Sequence, residues 1–121
     1  MLDNTHILWV TFLLQEKRNP DSNWAKYIDI LPKSFETFPV FWSQEDLSWL
    51  DHTDLIRLII DWHMKLKTDY ETICAAIPEY AEVPFREYQE MRVCVDSRLF
   101  SFRKDGVSTT GLIPCADMLN H

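Results

Sequence analysis

Glycine is nearly missing from this sequence, with two residues in 121, and there is no low-complexity tract. That scarcity excludes fibrous and linker-like classes and points to a packed globular chain. Cysteine is also sparse. Cys74, Cys94 and Cys115 are an odd number at wide spacings, which fits neither a disulfide framework nor a CxxC zinc site. They read as reduced thiols of an intracellular protein, cytoplasmic or nuclear. Basic residues fall short of acidic ones, 12 against 19, for a net charge of −7. No basic surplus exists to neutralise a phosphate backbone, which argues against nucleic acid as a direct partner. Long hydrophobic runs are lacking too. The start MLDNTHILWVTFLL is acidic rather than basic and too short to span a bilayer, so neither a signal peptide nor a membrane anchor is expected.

What is present is 46% apolar and 13% aromatic, one domain's worth of material or part of one. Ile7, Leu8, Val10, Phe12, Leu13 and Leu14 form a helix-length run over 5–17 that stops before Pro20. Asp21 or Ser22 can cap a second helix whose face carries Trp24, Tyr27, Ile28 and Leu31. An extended connector over 32–42 follows. Ser43 with Asp46 reads as a capping box, and Thr53 as the cap of the longest periodic segment. There Leu55, Ile59, Trp62, Leu66, Tyr70, Ile73 and Ile77 recur at steps of three or four, predicting one helical stripe to about Pro78. At ~1.5 Å per residue that helix is roughly 35 Å long, more than one small core covers. Another helix starts after Pro84 with Tyr88, Met91, Val95 and Leu99 on one face. Beyond Arg98 the pattern alternates, and Asp105-Gly106 signals a β-hairpin. The predicted class is therefore mostly α with a small β portion.

Taken singly, the polar residues of the C-terminal stretch have ordinary explanations. Asp117 and Asn120 can cap a short turn after Pro114, and Arg98 can face the C-terminal end of a helix dipole. His6, His52, His63 and His121 lack metal-ligand spacing. Ser97, Ser101 and Ser108 lack a GxSxG elbow, so no hydrolase triad is supported. Trp24 and Trp62 fall on apolar stripes, where packing is the commoner use of tryptophan.

The order of features is more specific than any one of them. WAKYIDILPKSFETFPVFWSQEDLSWL is followed by the long helix, then VDSRLFS, then GLIPCADMLNH. In this order the chain resembles SET-domain protein methyltransferases, in the subgroup with a helical insert that is like the Rubisco large-subunit lysine methyltransferase. The resemblance implies that 1–96 belongs to the helical insert region and 97–121 to part of the SET β core, ending at the Asn-His motif. It implies S-adenosyl-L-methionine as cofactor and a protein as substrate. On it, the Asn120 side chain would accept from the cofactor ammonium, the His121 backbone would pair with the adenine edge, and Arg98 would hold the cofactor carboxylate. Asp117 matches a position near cofactor and target, and Ser97 and Phe100 would border the target's channel.

The family's Gly-x-Gly cofactor loop has no match here, since the two glycines are Gly106 and Gly111. Its catalytic tyrosine is expected beyond His121. The expectation is therefore a SAM-dependent protein-lysine methyltransferase, present as a fragment inactive alone, with apolar surface exposed at Trp42, Trp62 and the first helix. Alternatives are a histidine-specific enzyme or a helical interaction module with a vestigial SET remnant.

Overall fold

The computed structural model describes residues 4–119. In chain order these form helices α1 (Asn4–Arg18), α2 (Ala25–Ile30), α3 (Gln44–Ser48), α4 (Asp54–Ala76) and α5 (Phe85–Asp96), then strands β1 (Leu99–Lys104) and β2 (Val107–Leu112). Short 3-10 turns lie at Pro39–Phe41, Pro78–Glu82 and Ala116–Met118. The chain divides into two units. Unit 1 joins Met1–Leu31 to Glu87–His121, and unit 2 is Pro32–Arg86.

In unit 1, α1 buries Val10, Leu13 and Leu14 while Leu8 stays exposed. Pro20 lies two residues past the end of α1, and the Arg18 guanidinium donates back to the Leu14 carbonyl at 3.1 Å, satisfying one of the terminal acceptors. Polar contacts tie α1 to α5 at both ends. His6 meets Asp96, whereas Lys17 and Arg18 each reach a different Glu87 carboxylate oxygen at 2.8 Å. Early residues of one helix thus meet late residues of the other, so the two run antiparallel. Arg92 Nε also binds Asp96 Oδ1 at 2.8 Å, with Arg92 itself buried.

The second helix starts later than its sequence suggests. Trp24 occupies the N-cap position without a side-chain bond, while Ser22 Oγ accepts from the Trp24 N–H at 3.0 Å and donates to Glu16. Trp24 packs edge-on against Phe12 at 5.3 Å and Tyr27 at 5.7 Å between centroids, and tilted against Trp9 at 6.2 Å. This aromatic cluster fixes α2 on α1.

The hairpin follows the turn signal. β1 and β2 pair antiparallel from Leu99 opposite Leu112 to Lys104 opposite Val107. Asp105 and Gly106 have φ of +53° and +81°, the left-handed pair that a two-residue hairpin turn needs. Gly111 faces the Trp9 and Phe102 rings, which a Cβ added there would meet at 3.5 and 3.4 Å, ordinary contact distances.

Unit 2 is built around α4. Ser43 Oγ accepts from the Asp46 N–H at 3.1 Å and starts α3 as the capping pattern predicts. Thr53 does not cap α4: its hydroxyl donates back to the Leu50 carbonyl at 2.6 Å. On α4, Leu66, Asp69 and Ile73 are buried, but Leu55 and Ile77 at the two ends are exposed. The centre of the stripe packs and its ends outrun their neighbours. Tyr70 donates to the Val83 carbonyl at 2.6 Å, and Phe85 packs on Tyr70 and His63 at 5.3 and 5.9 Å. Arg86 stacks over Phe41, 3.8 Å from the ring centre.

Candidate functional site

Three segments of unit 1 converge on one polar cluster. Arg98 sits in the link between α5 and β1, Asp117 in the 3-10 turn after β2, and Tyr27 on α2. The link is tight because Ser97 N–H and Arg98 N–H bond back to the Val93 and Val95 carbonyls at 3.1 and 3.0 Å, closing the last turn of α5. The second turn is entered through Cys115, whose φ of +75° lies in the left-handed region that side chains disfavour. That backbone reversal brings Asp117 back toward the start of the hairpin.

The Asp117 side chain is 1% exposed and the Arg98 side chain 18%. Arg98 Nε and Asp117 Oδ2 form an ion pair at 3.4 Å without making a hydrogen bond. Tyr27 donates its phenolic hydrogen to the same Oδ2 at 2.6 Å. Burial first, and the Asp117 carboxylate second, push the Tyr27 phenol well above its ordinary range, with Arg98 pulling partly against them. It is therefore a permanent donor at neutral pH. Asp117 Oδ1 and Arg98 Nε are buried with no hydrogen-bond partner among the described residues. Arg98 Nη1 donates to Ser97 Oγ at 2.9 Å, and that hydroxyl donates on to the Cys94 carbonyl at 3.1 Å.

Of the residues singled out from sequence, Ser97, Arg98 and Asp117 thus come together. Phe100 lies in β1, half-buried, opposite Gly111. Asn120 and His121 lie outside the described residues. Tyr27 was missed as a site residue because its helical spacing reads as packing. The signal available was a tyrosine, with a polar tip that must find a partner when buried, inside the W-x-x-Y-I stretch.

A buried carboxylate oxygen and a buried guanidinium nitrogen are thus left over in one cluster. The chain is 30% identical over 93% of its length to the fructose-bisphosphate aldolase lysine N-methyltransferase of Arabidopsis thaliana chloroplasts, covering 25% of that protein. It is 32% identical over 98% of its length to the ribosomal lysine N-methyltransferase set10 of Schizosaccharomyces pombe, covering 22%. The chain is homologous to protein N-methyltransferases. The methyltransferase relatives include a histidine enzyme, the actin-histidine N-methyltransferase of Gallus gallus, at 28% identity over 90% of this chain and 20% of that protein. The chain thus spans about a quarter or less of the length of these relatives. No family model matches it, and no solved structure does.

Unit 2 contains a different feature, an open cleft of about 480 Å³ bordered by Trp42, Leu47, Ile59, Ile60, His63 and Met64. None of the residues singled out from sequence as site residues borders it. Trp42 is half-buried, its indole N–H donating to the Glu36 carbonyl at 2.9 Å, and Trp62 is also half-buried. The strongly exposed tryptophan is Trp49, at 85%. No helix among the described residues is long and apolar enough to cross a membrane.

Proposed function

We propose that this chain supplies part of the cofactor side of a SET-type protein N-methyltransferase, with S-adenosyl-L-methionine as methyl donor and a protein lysine as acceptor. The observation that carries the reading is the Arg98–Asp117 cluster, a buried ion pair that leaves donors and an acceptor unused. Its residues fit the amino-acid end of that cofactor. Lysine is favoured over histidine because the aldolase and ribosomal relatives are named for lysine, while the actin relatives are named for histidine.

When bound, the cofactor's sulfonium carries the methyl group that an amine nitrogen displaces in line. The task of the chain is to position. The Arg98 guanidinium would hold the cofactor carboxylate, kept in place by Ser97 Oγ, which accepts from Nη1. Asn120 would accept from the ammonium and the His121 backbone would pair with the adenine edge. Asp117 would fix the guanidinium from behind, and Ser97 and Phe100 would border the acceptor's channel. In this reading 1–96 belongs to the helical insert region and 97–121 to part of the SET core, and the chain alone binds cofactor weakly and transfers no methyl group.

The test is an NMR titration of the 121-residue chain with S-adenosylhomocysteine. Shifts clustered on 97–101 and 116–121, weakened at least about tenfold in Arg98→Ala, are expected from loss of a charge-assisted contact. No shifts in the wild-type chain would refute the cofactor reading. The interaction-module alternative draws on unit 2, where Trp49, Leu58, Ile60 and Met64 are all more than half exposed and the last two border the open cleft.

A further inference from the structure

The cleft of unit 2 is bordered by one stripe of α4. Ile56, Ile59, Ile60, His63 and Met64 recur there at steps of three and four, while Leu47 and Asp51 come from α3 and the turn that follows it. The α4 stripe is mainly apolar, yet Ile60 and Met64 are 53% and 57% exposed. An apolar side chain exposed singly is ordinary on a protein surface. Two on one stripe, both bordering an open concavity, form a patch that a partner can cover.

Charge indicates what kind of partner fits. Between Lys33 and Arg57 the sequence has five acidic residues, Glu36, Glu45, Asp46, Asp51 and Asp54, and no lysine or arginine. All five are exposed. Asp51 borders the cleft itself, and Glu45 and Asp54 each lie within three positions of a residue that does. None of these three carboxylates has an ion-pair partner among the described residues. Lys65, further along α4, is already bonded to Asp69 at 2.7 Å. A second copy docked cleft to cleft would set like charges against one another, which is costly.

We propose that this cleft docks a short segment of a partner protein that carries a large apolar side chain flanked by lysine or arginine. The apolar side chain covers Ile60 and Met64, the latter with a flexible thioether that adapts to the shape of its partner. The flanking cations meet Asp51, Glu45 and Asp54, which selects against acidic segments and speeds the encounter. The inference does not rest on the cofactor reading, since the cleft and the Arg98–Asp117 cluster belong to different units.

The probe is a random 12-residue peptide library displayed on phage and selected against the 121-residue chain, with enriched peptides synthesised for fluorescence anisotropy. Enriched sequences are expected to place Lys or Arg beside Leu, Ile, Met, Phe or Trp, and their affinity is expected to fall as salt rises. Met64→Ser and Asp51→Lys should each weaken binding at least about fivefold. Both positions are exposed, so the variants are expected to keep the fold, which circular dichroism checks. Leu58→Ser is the control. Leu58 is 62% exposed on the same helix, but two positions from Ile56 and from Ile60 is about 200° around the axis, so binding should stay within about twofold. Enrichment of acidic or uncharged peptides, equal loss in Leu58→Ser, or no peptide that prefers the wild-type chain to Met64→Ser overturns the proposal. So does light scattering that shows a concentration-dependent dimer dispersed by Met64→Ser, an outcome that assigns the cleft to a second copy.

Discussion

Leu66 and Leu58 lie on the same helix, yet Leu66 is 0% exposed and Leu58 is 62% exposed. Leu→Ala removes the same three carbons at both places, and at Leu66 all of them leave a packed site. At ~0.8 kcal/mol per buried methylene the transfer loss is about 2.4 kcal/mol. The cavity left behind adds to it, for about 3 kcal/mol in all, inside the observed range of ~2–5 kcal/mol for such changes. At Leu58 roughly two fifths of that transfer loss applies, about 0.9 kcal/mol. Alanine's better helix propensity offsets about 0.2 kcal/mol of it. Both residues are in unit 2, so urea unfolding followed by far-UV circular dichroism reads the same transition for the two variants. Equal losses, or a loss under about 1 kcal/mol for Leu66→Ala, would refute the packing assigned to the centre of α4.

Glu87 offers a pH test: burial raises its pKa, but its bonds to Lys17 and Arg18 outweigh that and hold it below the usual carboxylate range. The stability it contributes is present above its unfolded pKa and lost as pH falls through the lower folded one. Because Lys17 and Arg18 are 48% and 44% exposed, Glu87→Gln is expected to cost roughly 0.5–1 kcal/mol at neutral pH. That gap should close on acidification in paired urea melts at pH 7 and well below the carboxylate range, and a gap unchanged with pH would count against the contact. At the hairpin turn, Gly106 has φ of +81° and nothing within 4 Å of an added Cβ. Gly106→Ala is therefore expected to cost about 1 kcal/mol through backbone strain alone, and thermal melts showing a neutral or stabilising effect would contradict the turn geometry.

Local features were legible in the sequence where the cause was local. The Asp105-Gly106 turn and the Ser43–Asp46 cap each depend on residues a few positions apart, and both form. Thr53 looked like an equal capping candidate, but its hydroxyl found a preceding carbonyl first, a competition that composition does not reveal. Periodicity located α4 within two residues of its observed end, yet it did not tell that Leu55 and Ile77 would be exposed, since burial depends on how far the partners extend. Arg98, Asp117 and Ser97 were picked out by resemblance, whereas Tyr27 was read as packing. Its partner is 90 positions away, and no short-range pattern encodes that meeting.

The discontinuity of unit 1 has a consequence for how the chain acquires its structure. Pro32–Arg86 is contiguous, so during synthesis unit 2 is complete before the segment that carries Asp96 and Asp117 has emerged. At ~5–20 residues per second, seconds separate the two events. The contacts His6–Asp96 and Tyr27–Asp117 each close a loop of the same 90-residue separation. Loop-closure entropy grows only logarithmically, so doubling the intervening length would add about 0.6 kcal/mol. Evolution can therefore lengthen or rewrite unit 2 with little penalty to unit 1, while the order of assembly stays the same: the inserted part first, and the polar cluster last.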